Sequence, residues 1–197
     1  MSAETHVGVW IPFTGKRELH VYEDMLLDYV SAEHQMRHAV LFLGQHGGDP
    51  YRRFGAERTV TLRSDPLSHG GPVFTYYPDD RVLAAAIARA RGTVLAVLSS
   101  SRPEADGWAA AVQAHNLLTG EPTPTVDDET ADHLDDLVDA GYGGGYNKRD
   151  NYIMSKVRPA LTALLAQGRS NDFIVTYCLA KGLTATHAKD LRGLLPD

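Results

Sequence analysis

The sequence predicts an α/β fold in three layers, with a largely parallel sheet covered on both faces and a helical C-terminal region. Three observations predict it. Residues 7–11, 39–43 and 93–98 are short, wholly apolar runs of strand length, the pattern of strands buried on both faces. The segments between them place apolar residues three and four apart, which marks one face of a helix. Strand-like and helix-like segments alternate along the first two thirds of the chain, the order that builds a parallel sheet.

Taken in order, VGVWI at 7–11 is a strand stopped by Pro12. A polar loop follows at 14–17. From about Glu18 the residues Leu19, Tyr22, Leu26, Tyr29 and Val30 share a helix face. AVLFL at 39–43 is a second buried strand, ended by the glycine-rich stretch 44–50. Between 58 and 63, Val60 and Leu62 alternate with polar residues, which predicts a half-exposed strand. Residues 64–71 read as loop and 72–76 as another short strand. Pro78 and Asp79 open a helix whose inner face is Val82, Leu83, Ala86, Ile87 and Ala90, and Gly92 closes it. TVLAVL at 93–98 is the clearest parallel strand, with a polar loop over 99–106. Trp108, Ala111, Val112, His115 and Leu118 predict a further helix, closed by Gly120.

The character then changes. Residues 127–140 form an acidic helix with Asp127, Asp128 and Glu129 in its first turn, where the helix dipole favours negative charge. The glycines from Gly141 to Gly145 read as a breaker and hinge, and 147–151 as a loop. Three helices are predicted after it. The first spans about 150–167, with a kink or restart at Pro159. The second spans about 171–181, with Ser170 as N-cap and Gly182 as its stop. The third spans about 185–195 and begins after Thr184. The division is therefore an α/β unit over 1–125, Rossmann-like in layout, and a helical region over 126–197 that belongs to the same domain or stands beside it.

A chain of 197 residues fits one domain, and 43% hydrophobic against 22% charged residues is an ordinary globular balance. The single cysteine, Cys178, forms no internal disulfide and no cysteine-based zinc site; it reads as a buried structural thiol in a reducing, cytoplasmic setting. The first residues lack the pattern of a secretory signal, and no apolar run is long enough to span a bilayer. The net charge of −6 conceals a split. Residues 1–144 carry 11 basic and 21 acidic side chains, whereas 145–197 carry 8 basic and 4 acidic. The basic tail is compatible with an acidic partner.

Open parallel sheets bind ligands at the carboxyl ends of their strands. Three loops follow predicted strands there. The first offers Thr14, Gly15 and Lys16, the second Gln45 and His46, and the third Ser99, Ser100, Ser101 and Arg102. Glycine N–H groups, hydroxyls and cations in such loops suit an anionic or ribose-bearing ligand. Neither G-x-G-x-x-G nor G-x-x-x-x-G-K-[ST] is present, which disfavours a dinucleotide fingerprint or a Walker-type NTPase. No G-x-S-x-G surrounds a serine. His34 and His38 have a spacing that zinc sites use, but the residues between are Gln-Met-Arg and a third ligand such as His46 has to come from afar. Surface histidines and no metal site are expected there, with His115 a hydrogen-bonded core histidine.

The stretch 79–122 reads DDRVLAAAIARARG, then VLAVLSSS, a polar loop, and DGWAAAVQAHNLLTGEP. It resembles the central unit of Toll/interleukin-1-receptor-like domains and of nucleoside 2-deoxyribosyltransferases. The resemblance implies a nucleotide or nucleoside pocket and N-glycosidic chemistry. Both families use a glutamate on that last helix, where this sequence has Ala110, Ala111, Val112 and Gln113. A catalytic carboxylate would therefore have to come from Glu104 or Asp106.

Residues 174–191 resemble a helix-turn-helix, with Ala180 and Gly182 at the turn, Leu183 buried after it and Thr184 as N-cap. Its last helix would offer Thr186, His187, Lys189 and Arg192 to bases and phosphates. The functional expectation is binding of a nucleotide- or nucleoside-like small molecule, extended to N-glycosidic hydrolysis or transfer. The alternative is a nucleic-acid-binding regulator with an α/β sensing domain; a homo-oligomer formed through the helical tail is a third reading. No cofactor is indicated.

Overall fold

Apolar runs become central strands because each strand buries alternate side chains on opposite faces of the sheet. A computed structural model describes residues 6–12, 14, 19–43, 59–63, 70–101, 104–143 and 145–196. Its strands are β1 (Val7–Ile11), β2 (Val40–Leu43), β3 (Thr59–Thr61), β4 (Val73–Tyr76), β5 (Val94–Leu98), β6 (His115–Asn116) and β7 (Glu121–Pro122). They form a seven-stranded sheet in the order β3-β2-β4-β5-β1-β6-β7. All neighbours are parallel except β6 and β7. The helices are α1 (Leu19–Glu33), α2 (Asp80–Arg89), α3 (Asp106–Val112), α4 (Asp128–Tyr142), α5 (Asn151–Ala166), α6 (Asn171–Ala180) and α7 (Ala185–Arg192).

The strand alternation sorts the core into two clusters. Val9, Ile11, Leu41, Phe74, Ala96 and Leu98 face Tyr22, Leu26 and Val30 of α1. Trp10, Phe42, Val73, Leu95 and Val97 face the opposite layer. That layer holds α2 and α3 and also residues of α4 to α7, so one continuous core crosses residue 125. Within it α6 is wholly enclosed from Phe173 to Leu179. α3 and α6 approach so closely that a methyl group at Gly107 would overlap the Phe173 carbonyl oxygen.

Capping follows local chemistry. The side chains of Asp79, Asp127, Ser170 and Thr184 each accept the N–H three residues ahead, opening α2, α4, α6 and α7.

Several expectations are corrected or completed. The helix expected to reach Gly120 ends at Val112, because Gln113 turns left-handed (φ 52). His115 and Asn116 then pair with Val9 and Trp10 as a two-residue strand, and a turn over 117–120 leads into β7, the edge strand beyond it. His115 is therefore a half-buried strand residue stacked on Tyr29, with ring centroids 5.0 Å apart. The strand at 59–61 is more buried than its alternation suggested: Thr61 faces inward, and Leu62 lies outside the strand. α1 stops at Glu33, so His34 and His38 share no helix face. α4 runs through Gly141, which is buried because the side chain of Leu183 occupies the space where a Cβ would stand. α5 continues through Pro159, so of the kink or restart expected there the restart does not occur. That proline is on the solvent side, where water can satisfy the carbonyl one turn earlier. Among the described residues no helix is long and apolar enough to cross a membrane.

Candidate functional site

The connections fix where the sheet opens. After β1 the chain passes through α1 to β2, beyond β5 and β4; after β5 it passes through α3 to β6, beyond β1. α1 packs on one face and α3 on the other. Neighbouring strands β1 and β5 therefore send their chains to opposite faces, which leaves a crevice between their carboxyl ends.

Short backbone bonds define its floor. The Ser99 N–H donates to the Ile11 carbonyl at 3.0 Å, carrying the β1–β5 ladder one step past the strands. The Tyr77 N–H donates to the Leu98 carbonyl at 2.8 Å, which brings the end of β4 to the same place. Thr14, just beyond β1, shares a hydrogen bond between its hydroxyl and that of Tyr22 on α1. Two of the three expected loops thus meet: Thr14 and Ser99 flank one crevice. Gly15, Lys16, Gln45, His46 and Arg102 lie outside the described residues.

The serines differ in role. Ser99 is 2% exposed; its Oγ accepts the Ala105 N–H at 3.1 Å and donates to the Ser100 carbonyl at 3.3 Å. It folds the loop back on itself, which is structural work. Ser100 is half-buried and Ser101 exposed, so their hydroxyls are the ones that can meet a ligand.

The same fold-back returns Glu104 and Asp106 toward the end of β5. Glu104 is exposed, and its N–H donates to Asp172 Oδ2 at 3.3 Å. Asp106 is half-buried at the start of α3 and accepts the Gly107 N–H at 3.0 Å. Burial, then the neighbouring charge of Glu104 and more weakly that of Asp172, raises its carboxyl above the usual range.

Two features went unrecognised in the sequence. Glu23 is only 3% exposed in the second turn of α1, which starts at this sheet edge. Its signal was legible: it stands four residues after Leu19 and three before Leu26, on the apolar stripe. Tyr77 is 40% exposed and adopts φ 50, a left-handed conformation uncommon for a bulky residue and unexpected just before Pro78. Only the register of β4 against β5 reveals it. Such conformations are held by their surroundings and concentrate at functional sites.

The residues proposed for nucleic-acid contact lie elsewhere. Thr186 and Lys189 are exposed on α7, and His187 is half-buried against Gly145. Arg192 grips Asp80 of α2 at 2.7 and 2.9 Å and Asp172 of α6 at 2.7 Å. These hydrogen bonds raise its already high pKa further. Thr186, Lys189 and Arg192 line a cleft of about 540 Å³ with Asp79, Asp80 and Arg81, between α7 and the start of α2. Cys178 is fully buried, and burial pushes its thiol well above the usual range. Among the described residues no group of three histidine, cysteine or carboxylate side chains is arranged to hold a metal ion.

Comparisons with protein-family models, curated proteins and solved structures found no match to this chain.

Proposed function

We propose that this protein binds a nucleotide- or nucleoside-like small molecule in the crevice between the carboxyl ends of β1 and β5. The observation that supports this best is the reversal of connections at that pair of strands, with Thr14, Tyr77 and the Ser99 loop around one opening. An exposed tyrosine ring beside serine and threonine hydroxyls matches a ligand with a flat base and a polyhydroxyl sugar. Tyr77 offers the stacking face; Ser100, Ser101 and Thr14 offer donors and acceptors to the sugar.

The reading extends to N-glycosidic hydrolysis or transfer. That reaction needs a proton for the departing base and negative charge near the developing oxocarbenium ion. Asp106, held toward its protonated form by burial, is the donor in this reading, and Glu104 supplies the carboxylate.

Calorimetric titration with adenosine, AMP and NAD, followed by chromatographic analysis of products, tests both parts. Binding weakened about tenfold by Tyr77→Ala is expected from loss of base stacking. Asp106→Asn should retain binding and lose any base release. Absence of binding by all three ligands would overturn the reading; binding without turnover would remove only its catalytic extension.

A further inference from the structure

Three helices begin close together at the carboxyl edge of the sheet. α2 follows β4, α3 follows β5, and α6 packs against both. Each carries a carboxylate in its first turn: Asp80, Asp106 and Asp172. Arg192, the last residue of α7, joins two of these starts. Its Nε and one terminal nitrogen donate to the two Asp80 oxygens at 2.7 and 2.9 Å, and its other terminal nitrogen donates to Asp172 Oδ1 at 2.7 Å. Asp172 Oδ2 in turn accepts the Glu104 N–H at 3.3 Å. An unbroken chain of hydrogen bonds therefore runs from the first residue of α2, through α7 and α6, to the residues that follow β5. All three guanidinium nitrogens are engaged inside the chain, so this arginine acts on its neighbours and not on a ligand.

Both ends of that chain are walls of the crevice. At one end, Asp80 stands three residues after Tyr77, whose N–H is held on the Leu98 carbonyl at 2.8 Å. The two residues between them are stiff: Pro78 by its ring, and Asp79 because its carboxylate caps α2. Tyr77 has a left-handed backbone that a bulky side chain does not favour, so its surroundings have to hold it. At the other end, Glu104 precedes Ala105, whose N–H is held on Ser99 Oγ at 3.1 Å, and Asp106 follows. The strand ladder reaches only as far as Ser99 and Tyr77. Beyond it, the Arg192 clasp spans from one wall to the other.

We propose, resting on the nucleotide-like reading of the crevice, that Arg192 is a positioning residue for that site: through Asp80 and Asp172 it sets the separation between Tyr77 and the pair Glu104 and Asp106. The helical C-terminal region is then a working part of the site. Arginine suits the task because its planar fork grips one carboxylate with two nitrogens and leaves the third for another.

The test is amide hydrogen exchange by NMR, paired with calorimetric titration of AMP, on the full chain. In Arg192→Met the amides of Tyr77, Glu104 and Ala105 should exchange about tenfold faster than in wild type, and AMP should bind about tenfold more weakly. Arg192→Lys should restore part of both, because an ammonium reaches one carboxylate at a time. Asp80→Asn releases α2 alone, so exchange should quicken at Tyr77 and stay as in wild type at Glu104. Tyr146→Phe is the stability control. It removes a buried hydrogen bond of 2.7 Å to the Leu137 carbonyl that is no part of the clasp, and it should leave the three amides and the AMP affinity unchanged. If Tyr146→Phe loosened the same amides, Arg192 would be one stabilising contact among others and the positioning role would be overturned. Wild-type exchange at the three amides in Arg192→Met would overturn it too, as would unaltered AMP affinity beside faster exchange. A wild type that binds neither AMP, adenosine nor NAD removes the nucleotide-like reading instead; the exchange rates then decide by themselves whether Arg192 places the two walls.

Discussion

Acid should destabilise this protein through one buried histidine. His6 precedes β1, is 8% exposed, and its Nε2 accepts the Trp108 indole N–H at 3.0 Å. The two rings are stacked, with centroids 5.7 Å apart. An acceptor at Nε2 must be unprotonated, and burial lowers the imidazole pKa from 6.5 to about 4. The folded state therefore binds its proton later than the unfolded state does. Stability is full above the unfolded value of 6.5 and falls with pH through the window down to about 4, below which the loss levels off. At about pH 5 the loss amounts to about 2 kcal/mol, and at its limit to about 3 kcal/mol. Urea unfolding at about pH 7, 6 and 5, followed by tryptophan fluorescence, measures it. Other histidines and carboxylates also titrate, so the informative quantity is the difference between wild type and His6→Gln. The glutamine can accept the indole bond but has no proton to gain. The variant should lack about 2 kcal/mol of the acid-induced loss. Parallel losses in the two proteins would refute the assignment of the acid sensitivity to His6.

Further outcomes are expected at Gly107, Gly143, Arg192 and Cys178. Gly107→Ala should destabilise by about 3 kcal/mol in chemical unfolding, because the added methyl drives α3 off the Phe173 carbonyl. Gly143→Ala, whose Cβ meets nothing closer than 3.4 Å, should change stability by less than about 1 kcal/mol. Arg192→Met leaves Asp80 and Asp172 without their cation; with the arginine 35% exposed and partly screened, the loss should be about 1–2 kcal/mol by thermal unfolding. Arg192→Lys should recover only part of it, since an ammonium cannot span both carboxylates. Cys178 should react with a thiol reagent only at the rate of unfolding, because the thiol is enclosed and held protonated; rapid labelling under native conditions would contradict its burial.

Much of the fold was legible because the signals are short-ranged. The apolar runs at 8–11, 40–43 and 94–98 are buried on both faces, as runs without alternation must be. The site was legible in part. The serines after β5 and Thr14 after β1 are where a parallel sheet would put them. Ser99 was read as a ligand contact, yet its hydroxyl closes its own loop, a bond to a residue six positions on that no spacing rule announces. Glu23 is a carboxylate on the otherwise apolar stripe of α1, and apolar periodicity alone does not mark such a residue.

The sequence by itself determined where helices begin and which apolar runs are central strands. Asp79, Asp127, Ser170 and Thr184 bond to N–H groups three residues away, so composition and spacing suffice. Only the tertiary structure decided the strand order, the pairing of His115 and Asn116 with β1 that cuts α3 short, and the clasp of Arg192 on Asp80, 112 positions away in the chain. Those contacts depend on which surfaces meet once the sheet has formed, and a local pattern carries no information about a partner so distant.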